Sequence, residues 1–517
     1  MTRATEETTL LIIGAGPTGL GAGYRLRELG HQRFHIVERN ERVGGLARSI
    51  KDDKGFTWDI GGHVLFSHYQ YYDKLFETLI GKDYTLNDRE SWVRTRNRWI
   101  PYPYQNNLRY LPQDMIYECL AGLIRTQANA QPKEGVICGP NTETDNIGQS
   151  YRNNNNGGGR SPQTARNFGE FIDAVFGDGI ARHFMRPYNF KVWAHEPEMM
   201  NKTWIGERVA VIDYERALRN VILEQDDFGW GPNNRFKYPL FGTGDFYDRF
   251  EPHLRDHLTF NTKLVGVDLD SRIATFDDGS TRSFDGMLST MPVDLFITQI
   301  VTSQVPQHVR DAASRLMHSA GHMVGIGIKR PCPSTKSWMY FPDDDCPFYR
   351  VTYLSNYSPM MTPNKDEYYS LLCEVSESTY KPVNHETVVE DVIRGLENAG
   401  MLEPGERSDI VSRWHYRAEY SYPTPSVERD EILSIIIPWL EAHGVYSRGR
   451  FGLWKYEVAN TDHSVMQGVE WVNRLLCGEP EQTIGITYKS TEDGREAADH
   501  ESFHVRPSLA GSGEKRT

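Results

Sequence analysis

The chain has 517 residues, with 57 lysines and arginines against 70 aspartates and glutamates and a formal net charge of −13 at pH 7. A nucleic-acid partner calls for a clustered basic surface, so this acidic composition argues against one. No run approaches the roughly 18 apolar residues that a membrane span requires, and the length predicts two or three domains.

Six cysteines are present, with neither CxxC nor paired zinc-ligand spacing among them. The sequence therefore predicts free thiols and no metal site. Residues 1–9 are polar and lack the apolar centre and cleavage site of a secretory signal, which predicts a cytoplasmic location. The sequence does not specify the oligomeric state, and an oligomer is compatible with it.

The N-terminal pattern predicts a β-α-β unit. A short apolar run at residues 9–13 leads into a glycine-rich turn, and a helical pattern continues to about residue 29. A second apolar run covers residues 34–38. Two strands joined by a crossover helix are typical of a parallel sheet.

Later segments predict helices first and strands afterwards. Aromatic, helical patterns cover residues 99–124, with Pro101 and Pro103 marking an irregular entry, and residues 167–211. The Asn/Gly-rich segment 127–163 between them predicts a flexible surface loop. Short alternating runs over 258–285 predict a β-meander, followed by a buried strand at 287–290. Antiparallel strands are predicted at 321–328, 338–341, 348–354 and 368–375, and helices at 386–399 and 429–443.

The first turn carries the spacing of a dinucleotide site. Gly14, Gly16 and Gly19 follow a strand and open a helix, and Glu38 ends the next strand. The three glycines permit a tight turn, close approach of a pyrophosphate and close packing of helix on strand, while the helix N-terminus attracts the anion. Glu38 would accept hydrogen bonds from ribose hydroxyls.

Two further glycine pairs favour FAD as the dinucleotide. The pair that includes Gly45 follows the ribose acid and resembles flavoprotein oxidoreductases of the amine oxidase type, where it lies against the FAD phosphates. Gly61, Gly62 and His63 form a third turn, where such proteins bring backbone against the isoalloxazine ring. An ordinary structural turn is the alternative explanation for this third site.

Several longer motifs resemble one family, the UDP-galactopyranose mutases, and specifically its eukaryotic branch. The resemblance covers most of residues 8–475. The motifs are GGHVLFSH at 61–68, PYPYQNN at 101–107, MRPYNFKVW at 185–193, WIGER at 204–208, WGPN at 230–233, YPTP at 422–425 and RGRFG at 448–452.

The resemblance implies an isomerase that interconverts UDP-galactopyranose and UDP-galactofuranose without net redox. The N5 atom of reduced FAD acts as the nucleophile at the anomeric carbon, so the cofactor supplies the demanding chemistry. The resemblance also implies roles for individual residues. Catalytic roles fall to His63, Arg208 and Arg350, with the two arginines clamping the diphosphate. Cofactor contacts fall to Arg450 and Asn460.

The same resemblance implies a substrate pocket and a reductant site. The expected substrate-binding residues are Tyr102, Tyr104, Gln105, Asn189, Trp193, Asn233, Tyr340, Tyr422 and Tyr456. Arg89 and Ser91 belong to a short segment that resembles the NADPH contact of eukaryotic members. NADPH is therefore expected as the reductant that converts FAD to its active, reduced form.

Two other classes of protein remain open from the sequence. A relative of the amine oxidases could use the same FAD site for net oxidation of a substrate, although two arginines suited to a diphosphate do not suit an amine. A non-catalytic flavoprotein would not need the tyrosines and arginines around a leaving diphosphate. Conversion of UDP-galactofuranose by the reduced protein separates these alternatives from a mutase.

The predicted fold class is α/β, with a Rossmann-type FAD-binding domain, an inserted helical domain and an antiparallel β-sheet domain. The FAD-binding domain is expected in three segments, residues 1–90, 236–304 and 436–490. The helical insert is expected at 91–235, the antiparallel sheet at 305–435 and a tail at 491–517.

Overall fold

A computed structural model describes residues 5–127, 162, 164–205, 209–210, 212–228, 234–403 and 405–485. The predicted loop at 127–163 lies outside the described residues apart from Gln127 and Pro162, and the predicted tail at 491–517 lies wholly outside them. The strands are β1 (Leu10–Ile13), β2 (Phe34–Val37), β3 (Ser49–Lys51), β4 (Thr57–Asp59), β5 (Tyr84–Asp88), β6 (Ser91–Thr95), β7 (Arg98–Pro101), β8 (Arg235–Pro239), β9 (Leu258–Thr259), β10 (Leu264–Asp268), β11 (Ile273–Phe276), β12 (Thr281–Ser283), β13 (Gly286–Ser289), β14 (His318–Ile328), β15 (Trp338–Tyr340), β16 (Arg350–Tyr353), β17 (Tyr369–Glu377), β18 (Ile410–Pro423) and β19 (Val445–Ser447).

The helices are α1 (Pro17–Glu28), α2 (Gln70–Ile80), α3 (Gln113–Gln127), α4 (Phe168–Ile180), α5 (Arg186–Trp193), α6 (Tyr214–Ile222), α7 (Thr243–Asp248), α8 (Glu251–Leu254), α9 (Val293–Leu295), α10 (Gln307–Ser314), α11 (Val388–Asn398), α12 (Arg429–Ala442) and α13 (Thr461–Cys477). A π-helical turn, Ala181–Met185, joins α4 to α5. Among the described residues, no helix combines the length and apolar character needed to cross a membrane.

The first sheet is parallel and has the order β19-β13-β1-β2-β9. All four residues of β1 are buried, as expected for a central parallel strand covered on both faces. Helices α1 and α13 lie against each other at unusually close range, because a side chain at Gly468 would meet the Thr18 carbonyl oxygen at 2.0 Å. The predicted Rossmann-type unit is confirmed, and each of its predicted boundaries lies within one residue of the observed one.

The second sheet is mostly antiparallel and has the order β18-β14-β17-β16-β15-β6-β7. Its centre matches the predicted strands, but its 14-residue edge strand β18 was not predicted. Strands β6 and β7 also belong to this sheet, so the predicted helical pattern over 99–124 is wrong at its start. The helix of that region begins only at Gln113, after Pro101 and Pro103 and two short 3-10 turns.

The helical region packs α3, α4, α5 and α6 around a core of its own, which includes Phe176, Phe184 and Trp193. The predicted β-meander is confirmed for β10, β11 and β12, while β9 pairs with β2 in the parallel sheet. Helices α11 and α12 match the predicted helices to within two residues at each end. Five cysteines are described and all are free thiols, as predicted.

Candidate functional site

The first glycine turn leaves space for a ligand on one side only. Gly14 has a φ of +99°, and a side chain there would meet the Thr290 hydroxyl at 2.3 Å. The space beside Gly16 is different, because its nearest neighbour would be the Cα atom of Gly45 at 3.9 Å. Gly14 is therefore required by the fold itself. Gly16 and Gly45 instead bring two backbone segments close together, with a side chain at Gly45 only 3.2 Å from Gly16 Cα, and the absence of side chains there suits the approach of a pyrophosphate.

Glu38 lies where the sequence predicts it, just beyond the carboxyl end of β2. One carboxylate oxygen accepts a hydrogen bond from the backbone N–H of Ala15 at 2.8 Å. The other accepts from the backbone and side chain of Asn40 at 2.9 and 2.6 Å. These bonds hold the buried carboxylate beside the glycine turn, the position that a ribose-binding acid occupies in this type of unit.

The third glycine turn contacts the antiparallel sheet through one carboxylate. The backbone N–H of Gly62 donates to Glu374 at 3.1 Å. Arg350 donates to the same carboxylate twice, from Nε at 2.7 Å and from an Nη atom at 2.8 Å. Tyr349 adds a hydroxyl donor at 2.8 Å. Glu374 thus joins the predicted flavin turn to the predicted diphosphate arginine.

Charge explains how this carboxylate stays ionised inside the protein. Burial alone raises the pKa of Glu374, but the charge of Arg350 and the donated hydrogen bonds outweigh burial, and the pKa lies below its ordinary value. Glu374 correspondingly raises the pKa of Arg350 despite its burial. The guanidinium therefore remains charged, with one edge on Glu374 and its remaining N–H groups available to an anion.

His63 lies next to this pair as a neutral imidazole. Burial lowers the pKa of His63 to about 4, and the charge of Arg350 adds to the effect. Within the described residues, neither His63 Nδ1 nor the buried hydroxyl of Thr352 has a hydrogen-bond partner. A side chain at Gly62 would meet that hydroxyl at 2.9 Å. Unpaired polar atoms beside a glycine turn fit a polar ligand, because burying them without a partner costs free energy.

Aromatic residues from several elements gather around Arg350. Tyr340 pairs with Arg350 across strands β15 and β16, and its hydroxyl accepts a hydrogen bond from the Trp338 indole at 2.7 Å. The hydroxyl of Tyr422 lies 3.4 Å from that of Tyr349. Several aromatic rings pack here with their centres 4.7 to 5.8 Å apart. Tyr340 packs against Tyr102 and Tyr188, Trp193 packs against Tyr422 and Tyr456, and Tyr422 also packs against Tyr456.

Arg450 connects this aromatic group to the C-terminal helix. Its guanidinium lies 4.9 Å from the centre of the Tyr422 ring and donates to the carbonyl oxygens of Ser421 and Ala459. Asn460 immediately precedes α13, at its N-cap position. Arg450 and Asn460, the two predicted cofactor contacts, therefore lie at the N-terminal end of α13. This helix packs against the glycine-rich helix α1.

Three of the predicted substrate-binding residues are almost completely buried. Tyr104 is 0% exposed, and its ring stacks on Phe184 at 4.5 Å. The side-chain amide of Gln105 donates to the Ala210 carbonyl oxygen. Asn189 donates to the Met185 carbonyl oxygen at 2.7 Å within the helical region. In this structure the contacts of these three side chains are therefore made within the protein.

Two predicted residues, Arg208 and Asn233, lie outside the described residues. Arg89 and Ser91 are described and line a cavity of about 550 Å³ together with Tyr102, Phe228 and Asn234. Arg89 donates to the Asn234 side chain at 2.7 Å and lies 5.7 Å from the Tyr102 ring centre. The cavity is within the size range of small-molecule sites, and Ser91 is largely buried at its wall.

Sequence reasoning missed Glu374 and Tyr349. Glu374 lies inside strand Tyr369–Glu377 between Cys373 and Val375, and the strand contains no basic residue that could pair with it. That isolation is the one signal available, because buried acids are rarely left unpaired. Its partner follows only from the sheet register, which sets Arg350 opposite Glu374.

Comparison with known proteins agrees with this geometry. A family model described as flavin containing amine oxidoreductase matches residues 17–446. A crystal structure of a reduced UDP-galactopyranose mutase is 42% identical, with a TM-score of 0.83 over 92% of this chain and 96% of that one. A fatty acid isomerase from P. acnes and a putrescine oxidase share the fold at 16% and 13% identity, with TM-scores of 0.60 and 0.56 over 91% of this chain and 99% of each of theirs.

Curated relatives match over a much shorter stretch. A 4,4'-diapophytoene desaturase of Staphylococcus aureus strain MRSA252 is 40% identical over 75 residues. That stretch is 14% of this chain and 14% of the desaturase, so the chain spans about a seventh of the length of the curated relatives it matches.

Proposed function

Because the chain belongs to the flavin containing amine oxidoreductase family and, within it, to the UDP-galactopyranose mutases, we propose that it interconverts UDP-galactopyranose and UDP-galactofuranose. The proposed enzyme is of the eukaryotic type, uses reduced FAD and takes its electrons from NADPH. Free thiols are in keeping with a proposed cytoplasmic location.

The observation that carries this proposal is Arg350, held by Glu374 beside the turn of Gly62 and surrounded by tyrosines. An arginine whose charge is secured in this way attracts a diphosphate and repels the cation of an amine substrate. The site therefore favours a nucleotide sugar over the amines that other members of the fold oxidise.

The residues of the first two glycine turns fit FAD. The pyrophosphate would lie against the adjacent backbones of Gly16 and Gly45, and Glu38 would hold the ribose hydroxyls in place of its present partners. When bound, reduced FAD would supply a nucleophilic N5 atom for the anomeric carbon of the sugar. Arg450 and Asn460 would contact the same cofactor from the end of α13.

The proposed task of Arg350 is to hold the diphosphate and to stabilise UDP as it leaves. Arg208 would complete the clamp, and hydroxyl groups of Tyr340, Tyr422 and Tyr456 would donate to the same phosphate oxygens. Because Glu374 fixes one edge of the guanidinium, the other edge is oriented before the substrate arrives. Such preorganisation reduces the reorganisation needed during reaction.

The remaining proposed contacts orient the sugar and the base. Tyr102, Tyr104 and Gln105 would form the uridine pocket, with Tyr102 the least buried of the three. Asn189, Trp193 and Asn233 would lie near the sugar and ribose. His63 would remain neutral near pH 7 and offer its unpaired Nδ1 atom to a hydrogen bond beside the flavin.

An anaerobic assay tests this function. The purified protein is reduced with dithionite, UDP-galactofuranose is added, and the products are separated by chromatography. We expect UDP-galactopyranose from the reduced protein and none from the oxidised protein. Failure of the reduced protein to convert UDP-galactofuranose, together with oxygen uptake on addition of an amine, would instead identify an amine oxidase.

A further inference from the structure

Three histidines and a glutamate gather on the antiparallel sheet, on the face opposite the candidate site. His322 lies on β14, where its neighbour Met323 points toward the glycine turn, with its terminal carbon 3.9 Å from where a side chain at Gly61 would lie. Because successive side chains of a strand point to opposite faces, His322 faces away from that turn. The proposed isomerase chemistry does not use this cluster.

The sheet register brings the other groups to His322. Arg417 of β18 is directly opposite His322, while His415 and the β17 residue Glu377 are its diagonal neighbours. Side chains at such positions share a face and lie within reach of one another. His385 comes from the segment between β17 and α11, so groups from three strands and one connecting segment meet here.

The atoms that could bind a metal converge. His322 Nε2 lies 3.1 Å from one oxygen of Glu377, and His385 Nε2 lies 2.7 Å from the other. The three candidate ligand atoms all lie within 4.8 Å of one another. Ligand atoms around a tetrahedral zinc ion at about 2.0–2.1 Å from the metal stand roughly 3.3 Å apart, so only a small adjustment is required.

Supporting contacts and access also suit a metal. His322 Nδ1 lies 2.9 Å from His415 Nε2, and metal-bound imidazoles characteristically make such a second hydrogen bond through their other nitrogen. Arg417 donates to Glu377 at 2.7 Å and orients the carboxylate. The side chain of His385 is 51% exposed, which gives an ion a route from solvent to the fully buried His322.

We propose that His322, Glu377 and His385 bind one divalent transition-metal ion of the Zn²⁺ class, with water as the fourth ligand. Imidazole nitrogens and a carboxylate suit this class of ion, and three protein ligands plus water are a common zinc arrangement. The ion would tie the end of β17 to the chain before α11. The sequence predicted no metal site, because these ligands have no regular spacing along the chain.

Calorimetric titration of the FAD-bound enzyme with ZnCl₂ tests the site. The protein carries no histidine tag and is first treated with EDTA and desalted. We expect the wild-type protein to bind one equivalent of Zn²⁺. His385→Ala should bind Zn²⁺ at this site at least tenfold more weakly. His385 is exposed, so its loss should not unfold the protein, and His308→Ala serves as the matched control at another exposed histidine.

Co²⁺ spectra give an independent measurement. Nitrogen and oxygen ligands give weak visible bands, whereas binding at a cysteine gives an intense thiolate band. We expect the weak bands in wild type and in His308→Ala, and their loss in His385→Ala, with unchanged isomerase activity in all three. Equal zinc stoichiometry and affinity in wild type and His385→Ala would overturn the proposal and leave a hydrogen-bonded cluster only.

Discussion

The parallel sheet offers the candidate site mainly backbone, whereas the antiparallel sheet offers it side chains. At the carboxyl end of β1 the important feature is the close approach of the Gly16 and Gly45 backbones, where side chains are absent. Across β15, β16 and β17 it is the row of Tyr340, Arg350 and Glu374. The first sheet is therefore suited to hold a cofactor through shape, and the second to hold a charged substrate through fixed charge.

The largest expected effect comes from adding a side chain to the glycine turn at Gly16. Gly16→Val should give colourless protein without measurable turnover, because the valine side chain would occupy the space proposed for the pyrophosphate. Its melting temperature should match that of wild type stripped of FAD, because a Cβ atom at Gly16 would meet only Gly45 Cα, at the ordinary contact distance of 3.9 Å. Absorbance at 450 nm per mole of protein is the measurement. A Gly16→Val protein with a full complement of FAD would contradict the assignment.

A neighbouring glycine provides the matched contrast. Gly14→Ala should lower the melting temperature even without FAD, since Gly14 has a φ of +99° and a Cβ atom would approach the Thr290 hydroxyl to 2.3 Å. Equal losses of melting temperature in Gly14→Ala and Gly16→Val without FAD would contradict the assignment of Gly14 to the fold and of Gly16 to ligand binding.

The next largest effect concerns the charged pair. Arg350→Ala should lower turnover by about 10²- to 10³-fold, because a donor aimed at developing charge is removed. A residue that did nothing but clamp the substrate could be removed without a change in melting temperature. The structure predicts otherwise, because Glu374 would remain buried without its cation, at a cost of about 3–5 kcal/mol. Turnover and thermal unfolding of the reduced enzyme measure the two effects.

A double variant separates fold from chemistry at this pair. Arg350→Ala combined with Glu374→Gln should recover much of the melting temperature, because no buried charge is left unpaired, while turnover stays low. Arg413→Ala, at an exposed arginine of β18, is the control and should change neither. Turnover of Arg350→Ala within about threefold of wild type would exclude Arg350 as the clamp.

The same contrast explains what the sequence could predict. The turn from Gly14 to Gly19 is local, so spacing along the chain predicts both its conformation and its ligand. Glu374 acquires meaning only from its register with Arg350, 24 residues away in the chain. Strand β18 was missed although its residues 413–422 alternate between polar and apolar or aromatic side chains, the pattern of a strand with one exposed face.

A smaller effect is expected where the reductant would bind, near the edge of the antiparallel sheet. Arg89→Ala should slow flavin reduction by NADPH about tenfold, which corresponds to one charge-assisted hydrogen bond of about 1.5 kcal/mol. Turnover after dithionite reduction should be unchanged. Stopped-flow absorbance measures the rate of flavin reduction. Arg109→Ala is the control, because Arg109 also stacks on a tyrosine ring, that of Tyr110. An unaltered NADPH rate in Arg89→Ala would remove this residue from the reductant site.

The smallest effect concerns pH and the parallel sheet. Burial lowers the pKa of His35 on β2 to about 4, with further contributions from Arg282 and His257. Below about pH 6.5 this histidine binds a proton in the unfolded chain, whereas in the folded chain it binds one only below about pH 4. The free energy of unfolding therefore falls as the pH is lowered from about 6.5 to about 4. His35→Asn should reduce the fall in melting temperature between pH 7.5 and 5 by about 2 °C. An equal fall in wild type and His35→Asn would contradict this reading, and His308→Asn is the exposed control.

Counting turnovers per flavin tests most directly whether the cofactor sheet and the charged sheet together perform isomerisation rather than oxidation. The enzyme is reduced once, the excess reductant is removed, and UDP-galactofuranose is supplied in a sealed cuvette without oxygen. We predict many molecules of UDP-galactopyranose per flavin, with the flavin spectrum still that of the reduced form at the end. At most one product per flavin, with the yellow oxidised spectrum returning as product forms, would contradict a mutase and identify net redox chemistry.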